Sequence, residues 1–112
     1  MSIEGLWSVI FSGRVGPASA GVVIFERGRI FGGDTHMYYI GDYEIKNGIL
    51  SGSIRVRVHS NVLGIVSVTG SDDFTATLTA ATVAKQMQLT LDVQPSGAGK
   101  IQAALSKITD LP

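Results

Sequence analysis

The sequence predicts an all-β protein, an eight-stranded antiparallel up-and-down β-barrel, on three observations. Apolar and polar side chains alternate with a period of two along most of the chain, residues typical of tight turns separate the alternating segments, and no stretch of ten or more residues has helical spacing. Eight antiparallel strands with one apolar face can close into a barrel, which removes exposed edge strands. A length of 112 residues suffices for one core, so residues 1–112 are predicted to form a single domain.

The first half of the chain supplies four predicted strands that are apolar on both faces. They cover residues 6–11, 20–26, 29–32 and 37–45. The second half supplies four strands with a cleaner alternation, at residues 49–59, 74–80, 86–93 and 101–108. From residue 50 to residue 59, apolar side chains and glycine at even positions alternate with serine, arginine and histidine at odd positions, which is typical of a half-buried strand.

The breaks between these segments have the composition of turns. Asn47-Gly48 is the strongest hairpin signal, because both residues tolerate positive φ. Further turns are predicted at Arg27-Gly28, Gly32-Gly33-Asp34 and Gly97-Ala98-Gly99. Residues 61–73 form the longest connection.

Charge and composition exclude several classes of function. Nine Lys and Arg balance nine Asp and Glu, so the chain lacks the basic surface that binds nucleic acid or an anionic membrane. A net charge of zero also favours self-association. The absence of cysteine removes disulfides and thiol catalysis. The sequence shows neither a signal-peptide pattern nor an apolar run long enough to span a membrane, so we expect a cytoplasmic protein.

No residue pattern predicts an enzyme. His36 and His59 have no further ligand at metal-binding spacing, so hydrogen-bonded structural roles are favoured over a metal site. Gly32-Gly33-Asp34 lacks the following helix and lysine of a phosphate-binding loop. The sequence therefore predicts no catalytic residue, no cofactor and no metal, and favours a protein that binds a partner.

The first-half strands suggest a surface for that partner. If Trp7 faces the interior, its neighbours along the first strand face outward, and the second and fourth strands offer similar outward residues. A continuous stripe of exposed apolar side chains typically marks an interface. The predicted homodimer interface consists of Leu6, Ile10, Val23, Phe25, Tyr38 and Ile40. The alternative is that a loop covers this stripe.

A carrier of a small apolar ligand is the second hypothesis. Small inward residues such as Gly41 and Ala76 either flatten a barrel or leave a cavity, and the sequence leaves both outcomes open. A ligand in such a cavity would be lined by Trp7, Phe11, Tyr39, Tyr43 and Met87.

The start of the first strand resembles the opening of lipocalin-like barrels. Gly5-Leu6-Trp7 matches the Gly-x-Trp motif of that group, in which a basic residue of the last strand often packs over the tryptophan. Lys107 has the phase in the last strand that this contact requires.

Most of the chain resembles the GrlR-type family, described as negative regulators of type III secretion gene expression. The most specific part is Gly32-Gly33-Asp34 followed by Tyr39-Ile40-Gly41-Asp42-Tyr43, and residues 5–11, 21–24, 28–31, 56–59 and 67–70 extend it in the same order. The resemblance implies a lipocalin-like barrel, often dimeric. It also implies sequestration of a transcriptional activator protein, which the founding member binds through an acidic run between its fourth and fifth strands. The corresponding hairpin here, residues 44–48, departs from that pattern because it has no acidic run.

Overall fold

A computed structural model of the chain shows a closed barrel in which every strand is antiparallel to its neighbours. It describes residues 3–13, 16–60, 73–82, 85–94 and 100–112. The strands are β1 (Gly5–Gly13), β2 (Gly16–Glu26), β3 (Arg29–Asp34), β4 (Met37–Lys46), β5 (Ile49–Val58), β6 (Asp73–Ala81), β7 (Gln86–Gln94) and β8 (Lys100–Thr109). Each strand pairs with the next along the chain, and β8 pairs with β1 to close the sheet. The predicted eight-stranded antiparallel barrel is confirmed, and no helix occurs among the residues described.

Two hairpin turns use a pair of residues with positive φ. Asn47 and Gly48 join β4 to β5 with φ angles of 55° and 76°, and Arg27 and Gly28 join β2 to β3 with φ angles of 50° and 79°. Two-residue loops of this kind match the right-handed twist of the flanking strands. Both predicted turns are confirmed. The turn predicted at residues 97–99 and residues 61–72 of the long connection lie outside the described residues.

The turn predicted at Gly32-Gly33-Asp34 is wrong. These residues complete β3, and the chain turns at residues 35–36. A Cβ atom at Gly32 would lie 2.1 Å from the carbonyl oxygen of Val22 on the neighbouring strand. Glycine is therefore required there by the close approach of the β2 backbone rather than by a turn.

Alternate residues of all eight strands fill the interior of the barrel. Three edge-to-face aromatic contacts lie in the part formed by the first strands. The ring centroids are 6.0 Å apart for Trp7 and Phe25, 5.3 Å for Phe25 and Tyr43, and 5.4 Å for Phe11 and Tyr39. Each such pair contributes about 0.5–1.5 kcal/mol beyond the burial of its surface.

The predicted outward orientation of Val23 and Phe25 is wrong. The pairing of β1 with β2 places Val23 opposite Trp7 and Phe25 opposite Gly5, and directly opposed residues share a face of the sheet. Val23 and Phe25 are accordingly only 6% and 1% exposed. Because residues 22–25 are all apolar, an alternation of period two fits either orientation, and only the register with Trp7 decides between them.

Trp7 is held by a hydrogen bond to Ile3 and lies opposite Lys107 of the last strand. Its indole Nε1–H donates a hydrogen bond of 2.8 Å to the carbonyl oxygen of Ile3, which is itself part of the core. This bond satisfies the one polar atom of a fully buried side chain. Lys107 lies directly opposite Trp7 in the pairing of β1 with β8, and its Nζ lies 2.7 Å from the Asp110 carboxylate.

Candidate functional site on the outer face of the barrel

A row of apolar side chains crosses the outside of the first four strands. Leu6 of β1 pairs with Ile24 of β2, Ile24 pairs with Phe31 of β3, and Phe31 pairs with Ile40 of β4. Opposed residues of neighbouring strands have their Cβ atoms about 5 Å apart. These four side chains therefore form one continuous apolar row without a polar interruption.

Three further apolar side chains flank this row on the same face. Val22 lies two residues before Ile24 on β2 and Tyr38 lies two residues before Ile40 on β4, so each shares the outer face with that residue. Ile10 lies near the far end of β1. Ile40, Ile10 and Val22 are 56%, 46% and 42% exposed, and the rest of the set is half-buried. The outer apolar band consists of Leu6, Ile10, Val22, Ile24, Phe31, Tyr38 and Ile40.

Charged pairs lie at the border of the outer apolar band. On the β5 side, Arg55 lies opposite Ile40 and donates to the Asp73 carboxylate through Nε at 3.2 Å and Nη2 at 3.0 Å. This hydrogen bonding lowers the pKa of Asp73 and raises the pKa of Arg55. On the β3 side, Arg29 Nη2 lies 3.0 Å from the Glu26 carboxylate. An apolar centre with a polar rim is the usual anatomy of a protein–protein interface.

Four of the six residues predicted for the interface lie in this band, namely Leu6, Ile10, Tyr38 and Ile40. Val23 and Phe25 do not, because they belong to the core. The sequence reasoning missed Val22, Ile24 and Phe31. The register of β2 with Trp7 is the signal that would have identified the first two, and Phe31 follows from its pairing with Ile24.

The residues predicted to line a ligand cavity all belong to the inner face. Trp7, Phe11, Tyr39 and Met87 are buried, and Tyr43 packs half-buried against the core. An apolar cavity of about 20 Å³ lies among Phe11, Tyr39 and nine other core side chains. Pockets for drug-sized ligands are on the order of 300–1,000 Å³. A ligand in this cavity would therefore have to displace core side chains, and its binding stays a prediction.

A polar cluster tightens the connection between β3 and β4. Asp34 Oδ1 accepts hydrogen bonds from the backbone N–H of His36 at 2.9 Å and of Met37 at 2.7 Å. Asp34 Oδ2 accepts a hydrogen bond of 2.5 Å from the Tyr39 hydroxyl. Burial raises the pKa of Tyr39, and the hydrogen bond and negative charge of Asp34 raise it further. Tyr39 is therefore a fixed proton donor, and Asp34 acts as a side-chain cap for the turn.

Both histidines tie the end of β5 to this turn. His59 Nε2 lies 2.8 Å from the carbonyl oxygen of Asp34, and His36 Nδ1 lies 2.6 Å from that of Ser60. A carbonyl oxygen only accepts, so each of these ring nitrogens donates. The backbone N–H of His59 adds a bond of 2.9 Å to the carbonyl oxygen of His36. The contacts assign both rings to structure, and the described residues hold no group of three or more side chains suited to a metal ion.

Comparison with models of known protein families and with curated proteins found no match to this chain. Within the part of the chain that the structure covers, no helix has the length and apolar character to cross a membrane.

Proposed function

We propose that this chain is a non-enzymatic protein-interaction module that forms a homodimer through the outer apolar band. The observation that carries the proposal is the uninterrupted row from Leu6 to Ile40 across four neighbouring strands. A barrel does not need apolar side chains on its outer face to fold, because its core is built from the inner face alone. Removing one large apolar side chain fully from water contributes roughly 1.5–3 kcal/mol.

The charges of the chain favour a second copy as the occupant. Its formal net charge is zero, so two copies approach each other without long-range repulsion. The rim of the band carries both signs, with Arg55 and Arg57 on β5 and with Asp42 and Glu26 on the strands before it. A two-fold contact uses the same patch on both subunits, so a patch with mixed charges at its border can be self-complementary.

A regulatory role follows from the resemblance to the GrlR-type family. In this role the dimer is a cytoplasmic negative regulator that sequesters a regulatory protein. Gly32 and Asp34 belong to the most specific part of that resemblance, and in this fold they have a close-packing and a capping role. The tip of the β4–β5 hairpin, residues 44–48, carries one glutamate and one lysine. We therefore propose that the regulatory protein binds a surface other than the tip of this hairpin.

The carrier hypothesis has one observation in its favour, the apolar cavity beside Phe11 and Tyr39. The volume of this cavity, about 20 Å³, is close to the minimum that holds one water molecule. This small size favours the interaction module over the carrier. Native mass spectrometry of the purified protein tests the point. A bound apolar molecule retained at stoichiometric level would support the carrier, and bare protein would count against it.

Sedimentation velocity over a range of concentrations tests the homodimer. The test variant is Ile40→Glu, which places a charge on the most exposed member of the outer apolar band. The matched control is Thr79→Glu, an exposed outward position on β6. We expect the unaltered protein and Thr79→Glu to sediment as dimers at micromolar concentration, and Ile40→Glu to sediment as a monomer. A monomeric unaltered protein, or a fully dimeric Ile40→Glu variant, would overturn the proposal.

A further inference from the structure

We propose that Asn47 is a site of spontaneous deamidation, because the tip of the β4–β5 hairpin presents an Asn-Gly pair to solvent. Residues 44–49 are all exposed, so the tip extends beyond the packed part of the barrel. Among the described residues, the nearest neighbour of a Cβ atom built on Gly48 would be the Thr82 hydroxyl oxygen, at 4.0 Å. Among the residues that the structure describes, no side chain covers the backbone between Asn47 and Gly48, so water and the Asn47 side chain can reach it.

The reaction needs only this pair of residues and water. The backbone nitrogen of Gly48 attacks the side-chain carbonyl carbon of Asn47, a C–N bond forms, and the side-chain nitrogen leaves as ammonia together with the proton lost from Gly48. Water then opens the resulting cyclic imide at one of its two carbonyls. Opening at one carbonyl gives aspartate, and opening at the other gives isoaspartate. Glycine favours the first step because it has no side chain beside the attacking nitrogen.

The structure also contains a restraint on this reaction. The backbone N–H and the Oγ1 hydroxyl of Thr82 each donate a hydrogen bond of 2.9 Å to the carbonyl oxygen of Gly48. Ring closure requires the backbone of Asn47 and Gly48 to leave the turn conformation, in which their φ angles are 55° and 76°. Because Thr82 holds Gly48 by two bonds, it is a positioning residue that slows the reaction in the folded protein.

The products would change the hairpin in two ways. Either product adds a negative charge, which takes the formal net charge from 0 to −1. Isoaspartate also adds a carbon to the backbone of a two-residue loop, and the length of such a loop fixes the register of its strands. The pair Lys46–Ile49, which closes the turn, is the first that this extra atom would disturb.

Peptide mass mapping of the purified full-length chain, incubated at mildly alkaline pH, tests the proposal. The only other asparagine, Asn61, is followed by the branched Val62 and provides a control within the same chain. The test variant is Thr82→Val, which removes the hydroxyl donor. Its matched control is Thr75→Val on β6, the strand that ends just before Thr82. Each protein is also incubated in denaturant, where the turn no longer restrains the reaction.

In the folded protein we expect conversion at Asn47 to exceed conversion at Asn61 several-fold. Thr82→Val should accelerate conversion at Asn47 several-fold, whereas Thr75→Val should not, and the three proteins should react equally in denaturant. No conversion of folded Asn47 over a period that converts the denatured chain fully would overturn the proposed site. Equal rates for folded Thr82→Val and the unaltered protein would overturn the role of Thr82.

Discussion

The outer faces of the two halves of the barrel differ, although their inner faces are alike. On β6 the outward residues include Thr75, Thr77 and Thr79, and the exposed residues of β7 are glutamine and aspartate. The exposed residues of β8 include glutamine and serine together with one large apolar side chain, Ile108, which is 55% exposed. On β1 to β4 the equivalent positions hold the outer apolar band. Since both halves contribute alternate residues to one core, core formation does not explain the apolar exterior of the first half. The proposed association through the outer apolar band would account for this difference.

Polar contacts on the second half of the barrel support the contrast between the two outer faces. Thr90 Oγ1 and Gln88 Nε2 both reach Gln102 Oε1, at 3.3 Å and 3.4 Å. Exposed side chains of this kind satisfy one another or water and need no partner protein. The outer apolar band offers no such hydrogen bonding apart from the Tyr38 hydroxyl.

The largest expected effect is the difference in unfolding free energy between substitutions on the inner and outer faces of β2. Phe25→Ala removes a core side chain and should lower the free energy of unfolding by about 3–5 kcal/mol. Ile24→Ala, one residue away on the outer face, should change it by only about 0.5 kcal/mol at protein concentrations low enough to dissociate a dimer. Urea unfolding followed by tryptophan fluorescence measures both. Equal losses for the two variants would show that the faces are not distinct.

The same comparison on the second half should give a smaller but equally clear contrast. Leu78→Ala on the inner face of β6 should cost about 2–5 kcal/mol. Thr79→Ala on its outer face should stay within about 0.5 kcal/mol of the unaltered protein at any concentration. A concentration-dependent loss for Thr79→Ala would place an interface on the second half as well.

A smaller effect is expected from the hydroxyl of Tyr39. Tyr39→Phe removes the donor to Asp34 and should lower the free energy of unfolding by about 1–3 kcal/mol. Asp34 keeps its two backbone donors, so the turn should persist. Urea unfolding at neutral pH measures the loss, with the exposed-hydroxyl variant Thr77→Val as the control. A loss no larger than that of the control would show that the hydrogen bond between Tyr39 and Asp34 does not stabilise the fold.

The smallest expected effect is on how the free energy of unfolding changes with pH. The pKa of Tyr39 is raised in the folded protein, so its stabilising contribution is complete below the pKa of an unfolded tyrosine, about 10. Above that pH the unfolded chain loses the proton while the folded chain keeps it, and stability falls. We expect Tyr39→Phe to reduce the fall, with a remainder from Tyr43, whose pKa burial also raises. An unchanged fall in Tyr39→Phe would contradict this assignment.

The sequence predicts this fold well because one physical pattern governs it. In β5 and β6, strict alternation identifies both the strand and its buried face, and Asn47-Gly48 defines the hairpin between β4 and β5. In β2, four successive apolar residues hide the orientation, which depends on pairing with β1 and is invisible to local periodicity. Gly32 is similar, because glycine signals either positive φ or a close strand approach and only the tertiary structure distinguishes them. The Asp34 cluster joins residues from β3, β4 and the end of β5, so no local motif reveals it.

Site-specific cross-linking tests the interface most directly. The chain has no cysteine, so a single introduced cysteine reports on its own position alone. Ile24→Cys lies between Leu6 and Phe31 in the outer apolar band, and Thr90→Cys lies on the outer face of the second half. With a short thiol-to-thiol cross-linker, we predict covalent dimers from Ile24→Cys and monomers from Thr90→Cys. Cross-linking of Thr90→Cys but not of Ile24→Cys, or of neither, would contradict association through the outer apolar band.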